Sequence, residues 1–337
     1  MKRIAVLLFT FAASVHLHAG AGFWNTLFGD GDQEFVCYSR VHRGYYLAIF
    51  FAVVIMAIIA YSRYRLKKRS AEKLEQQKNV IEEQNRDILD SIRYASRMQE
   101  ALRPEDSLIR KFIPESFFWL RPKDIVGGDF YFVEEHEGKI VVAAIDCTGH
   151  GVPGAFLTFI GHNALRHAIL TKGMKDASAI MSEMNEEVKQ TLGQGRSGNE
   201  LNDGMEVALC IYDPVSNSLD YCGAGSPLLL LQNGEINEIK AMKCTVGSIQ
   251  EHVKESPPTH HFKLNKGDSF YIGSDGIGDQ FGGKEGKKFR RETLRNLVKE
   301  SAYRNMKEQM QTITERILEW KGDHAQTDDM LLIGIRV

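Results

Sequence analysis

From Gly44 to Ser62 the chain reads GYYLAIFFAVVIMAIIAYS, without one charged side chain. Helices in soluble cores rarely stay free of charge for so long, whereas a hydrocarbon core takes ~20 apolar helical residues to cross. Tyr45, Tyr46, Tyr61 and Tyr64 fall where the two membrane–water interfaces would lie. Arg63, Arg65, Lys67, Lys68 and Arg69 follow at once. By the positive-inside rule such a cluster marks the cytoplasmic side, so the sequence predicts a single-pass protein with everything beyond the span in the cytoplasm. This charge is local. Lys+Arg 42 against Asp+Glu 44 leaves a net −2, which gives nucleic acid nothing to bind by bulk charge.

The segments around the span are short. Met1-Lys2-Arg3, an apolar run from Ile4 to Val15 and Ala19-Gly20-Ala21 read as a signal peptide over 1–21. An uncleaved signal anchor is the alternative. If the signal is cleaved, residues 22–43 form a periplasmic tail too small for a folded sensor. Residues 63–103 form a basic juxtamembrane and linker segment, and from Arg69 to Arg103 it contains neither Pro nor Gly. Leu74, Ile81, Ile88, Ala95 and Leu102 recur at heptad spacing, as in one seam of a coiled coil that would pair two copies of the chain. The companion positions Ala71, Lys78, Asn85, Ile92 and Gln99 are mostly polar, so a solitary amphipathic helix is the competing reading. The five cysteines include no CxxC pair, which argues against a zinc knuckle or disulfide framework.

Pro104 ends the linker, and a catalytic domain is predicted over 107–337. DFYFVEE, a HEG turn and KIVVAAID read as a β-hairpin; MEVALCIYD, SLDYCGA, PLLLLQNGEINEI, HHFKLN, DSFYIGSD and MLLIGIRV continue the strands. Gly151–Thr171, Asp176–Leu192 and about 291–320 read as helical. Strands arriving as hairpins with helices inserted between them predict an α+β fold of two layered, mainly antiparallel sheets covered by helices.

Four acidic motifs stand at the ends of these strands: Gly127-Gly128-Asp129, Asp146-Cys147-Thr148-Gly149-His150-Gly151, Ser274-Asp275-Gly276 and Thr327-Asp328-Asp329. One Asp-Gly pair alone would be read as a turn. Four carboxylates at strand ends can converge, and converging carboxylates repel unless cations lie between them. Hard divalent ions, two of Mn²⁺ or Mg²⁺, suit all-oxygen donors. A water held between two such ions becomes acidic enough to attack phosphorus in line.

VGGDFYF, AAIDCTGHGVPGAF, YIGSDGIGDQFGG and TDDMLLIGI, in this order, resemble the metal-dependent PPM-type protein phosphatases, most of all the bacterial SpoIIE branch that includes sigma-factor regulators. The resemblance spans about residues 107–337. It implies that Asp146 bridges both metals, that the Cys147 backbone carbonyl and Asp129 serve the first ion, and that Asp275 and Asp328 serve the second. Asp329, next to Asp328, would point to the opposite strand face. Where the eukaryotic-type branch has a His two residues after the bridging Asp, Thr148 stands here; His150 is the candidate general acid. The phosphate-gripping Arg of that branch has no counterpart beyond nearby Arg121 and Lys123, and Ser226 occupies a position where His is frequent. The implied protein is a serine/threonine phosphatase anchored in a bacterial inner membrane. Its implied mechanism is attack by metal-bound hydroxide, and its implied substrate a phosphorylated protein of anti-anti-sigma type. The competing reading is a weakly active or inactive module that binds a regulatory partner.

Overall fold

The computed structural model describes residues 33–194, 203–248 and 256–337. The signal-peptide assignment at 1–21 lies outside the described residues. Helix α1 (Gln33–Leu102) contains the charge-free stretch and is the one described helix long and apolar enough to cross a membrane, by length and composition. Along it Leu47, Phe51, Ile55 and Ile58 are all exposed. So are the heptad residues Leu74, Ile81 and Ile88, at 67%, 56% and 57%. Further along the same seam Ala95 and Leu102 are partly covered, as is Gln99 on the companion seam. The last turns of the linker helix therefore pack within the following unit.

The chain divides into two compact units, Met1–Gln84 and Asn85–Val337. In the second, a short helix α2 (Asp106–Phe112) leads into β1 (Ser116–Arg121). Next come β2 (Phe130–His136), β3 (Lys139–Cys147), helices α3 (Gly151–Arg166) and α4 (Ala177–Leu192), and strands β4 (Met205–Asp213) and β5 (Ser218–Ala224). Strands β6 (Leu228–Gln232), β7 (Glu235–Ile239), β8 (His260–Lys263) and β9 (Ser269–Gly273) follow, then the single turn α5 (Gly276–Asp279). Two short strands, β10 (Phe281–Gly282) and β11 (Lys287–Lys288), precede α6 (Arg291–Ser301), α7 (Met306–Lys321) and β12 (Met330–Arg336).

Two five-stranded antiparallel sheets result, in the orders β1-β12-β9-β6-β7 and β2-β3-β4-β5-β8. Strand β3 shows why they stack. Its residues alternate faces: Ile140, Val142 and Ala144 enter the core between the sheets, while Val141, Ala143 and Ile145 pack with Leu157, Leu165, Met181 and Met184 of α3 and α4. Strand β12 repeats the arrangement, with Leu331, Ile333 and Ile335 between the sheets and Met330 and Leu332 against Leu294, Val298, Ile313 and Ile317 of α6 and α7. Strands buried on both faces read as continuous apolar runs, as these do. The order is thus helix, sheet, sheet, helix. The predicted layered α+β architecture is present. The β2–β3 hairpin closes through Glu137 and Gly138 at φ 52° and 80°, a left-handed pair that matches the twist of the strands.

Strand β1 was not foreseen. It joins its sheet through β12 alone, Ser116 opposite Ile335 and Arg121 opposite Met330, so its partner comes from the other end of the domain.

Candidate functional site

The topology brings the four acidic motifs to one end of the sandwich, two from each sheet. Asp129 immediately precedes β2, and Asp146 is the penultimate residue of β3. Asp275 follows β9 and starts α5, and Asp328 lies two residues before β12. Because Asp146 shares the parity of Ile140, Val142 and Ala144, its carboxylate lies on the inter-sheet side, at the mouth of the core.

The carboxylates act on one another. Asp129 is buried, 5% exposed, and its Oδ2 has no hydrogen-bond partner. Burial, then the charge of Asp146, pushes its pKa well up, against a hydrogen bond from Ser274. Burial followed by the charges of Asp275, Glu206 and Asp328 raises Asp146 to about 7, against a hydrogen bond donated by the Asp275 backbone N–H. Asp275 is raised as well, by burial and then by Asp279 and Asp328. Asp146 thus acts on Asp129 on one side and is acted on by Asp275 and Asp328 on the other. A buried, unpartnered carboxylate oxygen amid like charges is the donor environment that a hard divalent cation satisfies. The residues fit the metal.

Glycines let these segments close in. A Cβ on Gly128 would lie 2.5 Å from the Gly149 carbonyl oxygen and 3.2 Å from that of Cys147, so the Cys147 oxygen faces the Asp129 segment. A Cβ on Gly276 would lie 1.8 Å from the Asp329 carbonyl oxygen, which explains the glycine after Asp275.

Asp329 does something different from its neighbour. Asp328 is exposed, whereas Asp329 is 2% exposed and accepts three backbone N–H groups: Lys123 at 2.6 Å, Gly128 at 2.6 Å and Asp129 at 3.3 Å. It holds the Asp129 segment in place. His150 is on the rim, its Nδ1 2.7 Å from Asp124 and both side chains half exposed. Thr148 is occupied structurally, its Oγ1 accepting the Gly204 N–H at 3.0 Å and so tying the Asp146 turn to β4. Ser226 similarly donates to the carbonyl of Gly273, just before Ser274-Asp275, at 2.8 Å. The Arg121 side chain is bound to Gln326 at 3.1 Å.

Two site residues escaped the sequence reading. Glu206 sits directly opposite Asp146 in the β3–β4 register, its pKa raised by burial and then by Asp275. Aligning MEVALCIYD antiparallel to KIVVAAIDC would have found it. Arg291, the first residue of α6, packs against α5: a Cβ on Gly278 would lie 3.3 Å from its Cγ. Arg290 before it is held at φ 71° by donating its N–H to the Gly278 carbonyl at 2.8 Å. A non-glycine residue at positive φ is strained. The positive charge of Arg291 opposes the upward shifts of both Asp275 and Glu206.

A separate group, His167, Glu183 and Glu187, brings three potential ligand atoms within 4.8 Å of one another on the α3–α4 side. Lys172 already pairs with Glu183 at 2.5 Å there, and His167 with Glu187 at 2.8 Å. That cluster has its own cation.

Comparison with known proteins agrees with the fold. No curated protein matches the chain. Among solved structures, the SiaA-PP2C domain of Pseudomonas aeruginosa is similar at 30% identity and a TM-score of 0.68, over 75% of this chain and 98% of that one. The PP2C phosphatase domain of SpoIIE from Bacillus subtilis, with a fragment of its regulatory domain, aligns at 18% identity and a TM-score of 0.53 over 66% of this chain and 63% of that one. The RsbU and RsbW domains of a Mycobacterium tuberculosis protein align at 20% identity and 0.53, over 66% and 60%. These last two share the fold. Residues 136–337 match the family described as stage II sporulation protein E (SpoIIE). With that match and the SiaA-PP2C relationship, the chain belongs to the SpoIIE family of PPM-type (PP2C) phosphatase domains.

Proposed function

We propose that this protein is a membrane-anchored, metal-dependent serine/threonine phosphoprotein phosphatase with its catalytic domain in the cytoplasm. The observation that carries the reading is the convergence of Asp129, Asp146, Asp275 and Asp328 from four separate motifs, with one carboxylate oxygen buried and unpartnered. Asp146 would be the ligand shared by two ions, with Asp129 and the Cys147 carbonyl available to one and Asp275 and Asp328 to the other. Two Mn²⁺ or Mg²⁺ ions would supply acidification of a water and neutralisation of the phosphoryl charge.

The remaining work falls to the chain. Asp329 fixes the backbone around Asp129, and the Asp275 N–H orients the Asp146 carboxylate. Arg291 is the cation we assign to the substrate phosphate, because it flanks the turn that carries Asp275 and a phosphoryl dianion needs a positive partner at the mouth of an acidic site. His150, paired with Asp124 on the rim, is the residue we assign as general acid toward a leaving serine or threonine oxygen.

The resemblance to the SpoIIE branch, which includes sigma-factor regulators, implies a phosphorylated regulatory protein of anti-anti-sigma type as substrate. The Gly44–Ser62 stretch of α1 supports a bacterial inner-membrane anchor, and the exposed Leu74, Ile81 and Ile88 support pairing of two chains through the linker. The test is hydrolysis of a phosphoserine protein by the full chain in detergent, with and without Mn²⁺. Mn²⁺-dependent phosphate release supports the reading, and its absence at saturating metal refutes it.

A further inference from the structure

A short basic hairpin follows α5 and borders the acidic site. From Lys284 to Arg291 the chain reads KEGKKFRR, five cations against one carboxylate, and all five cations are exposed. Strands β10 and β11 pair Phe281 with Lys288 and Gly282 with Lys287. The Lys288 ammonium bonds the Asp279 carboxylate at 2.8 Å, and the Asp279 N–H donates to the Asp275 carbonyl at 3.0 Å. The hairpin is thus fastened to the turn that starts at Asp275. Lys287 pairs with Glu285 at the tip. Among the described residues, Lys284, Arg290 and Arg291 make no ion pair.

Charges on a loose loop would form an ordinary solvated face, but this hairpin is held from below. The Gly283 N–H donates to the Trp320 carbonyl of α7 at 2.7 Å, and a Cβ on Gly282 would run into that same oxygen. Phe289 is buried and meets the Trp320 ring edge-on, with centroids 5.9 Å apart. The Phe289 N–H donates to the Gln280 carbonyl at 2.9 Å and that of Arg290 to the Gly278 carbonyl at 2.8 Å. These bonds keep Arg290 at φ 71°, a conformation that glycine would adopt without strain. Like charges fixed side by side sum into one local field, and groups already fixed lose little freedom when an anion binds.

We propose that Lys284, Lys287 and Arg290 form a docking patch for an acidic segment of the protein substrate, so that the enzyme selects phosphoserines flanked by Asp and Glu. The selection rests on the phosphatase reading and on Arg291 as the phosphate cation. Arg290 precedes Arg291 directly, and β11 leads into both, so residues beside a phosphoserine held at Arg291 fall over the hairpin. The patch is complementary to carboxylates, and its rigid base fixes where they bind. An anionic bilayer offers the same charge, but pressed against this hairpin it would cover the side of the site through which a protein substrate enters.

The test compares the full chain with a variant combining Lys284→Gln, Lys287→Gln and Arg290→Gly, the last chosen because glycine keeps the backbone at positive φ. Lys288 and Arg291 stay, since one braces the hairpin and the other is assigned to the phosphate. Two phosphoserine peptides of equal length, flanked by Asp and Glu or by Asn and Gln, are assayed with Mn²⁺ beside p-nitrophenyl phosphate, which has no flanks. Wild type should show kcat/KM about tenfold higher for the acidic peptide, a preference that fades as ionic strength rises from about 0.05 to about 0.3 M. The variant should lose that preference and hydrolyse p-nitrophenyl phosphate as wild type does. No preference in wild type, or the same preference in the variant, would overturn the proposal. Loss of acidic-peptide turnover in nanodiscs containing phosphatidylserine, relative to pure phosphatidylcholine, in wild type but not in the variant would assign the patch to the membrane and also overturn it. If nothing is hydrolysed the phosphatase reading fails, and fluorescence anisotropy of the labelled peptides then decides docking: tighter binding of the acidic peptide by wild type than by the variant supports it, and equal binding refutes it.

Discussion

Replacing Asp146 by Asn should stabilise the metal-free protein while abolishing its response to metal. The Asp146 pKa is raised from 3.8 to about 7, by burial first and then by Asp275, Glu206 and Asp328. The folded chain therefore holds a proton that the unfolded chain has released between pH ~4 and ~7, and stability falls as pH rises through that window. A shift of about 3 units at 1.36 kcal/mol each gives a ceiling of ~4 kcal/mol at pH 8. Asn keeps the size and can still accept the Asp275 N–H, but carries no charge. We expect a gain of about 2–4 kcal/mol at pH 8, on the order of 5–10 °C in melting temperature for a domain of this size. At pH 5 the gain should shrink to about 1–2 kcal/mol, and below pH ~4, where the folded and unfolded chains both hold the proton, it should vanish. Mn²⁺ at 100 times its Kd should return ~2.7 kcal/mol to the wild type and little to the variant. The assay is thermal unfolding of both proteins in chelator at pH 5 and pH 8, then with Mn²⁺. A variant that is less stable than wild type at pH 8 without metal would refute the argument, because it would mean that Asp146 is not repelled by its neighbours.

The two members of the Asp328-Asp329 pair should fail differently. Asp328→Asn should weaken Mn²⁺ binding with little change in melting, whereas Asp329→Asn loses charge-assisted bonds to three backbone N–H groups and should cost about 3 kcal/mol of stability, both read by calorimetry. Arg291→Ala should raise KM for a phosphoprotein roughly tenfold while leaving Mn²⁺ affinity near normal; an unchanged KM would remove it from the substrate site. In the linker, a four-residue insertion near Gln84 shifts the heptad phase and should alter turnover more than a seven-residue insertion, with equal turnover counting against phase-dependent coupling.

Most of the domain could be read from its strands because their apolar runs are long and their turns carry Gly. HEG and NG mark the β2–β3 and β6–β7 connections without ambiguity. Strand β1 was hidden because SFFWLR has no hairpin partner; only β12 completes it. The motif carboxylates announced themselves by standing at strand ends beside glycine or another small residue. Glu206 and Arg291 did not, since their proximity to Asp146 and Asp275 depends on β3–β4 register and on how α6 packs against α5. Asp329 looked like the lesser partner of Asp328 on motif alignment and strand parity, and both are silent on the three N–H groups it gathers. Gln99 read as a flaw in a heptad, whereas the structure ties it to Gly127 and Thr158. A helix that ends on its own domain has different requirements from one that only pairs with a second copy.

The central claim is that the converging carboxylates make a metal-dependent hydrolase. Phosphate release from p-nitrophenyl phosphate by the full chain in detergent, titrated with Mn²⁺ from a chelated start, tests it most directly. Turnover should be absent in chelator, rise to saturation with Mn²⁺, and fall by orders of magnitude in Asp146→Asn. Turnover that is indifferent to Mn²⁺, or that survives in Asp146→Asn, would contradict it.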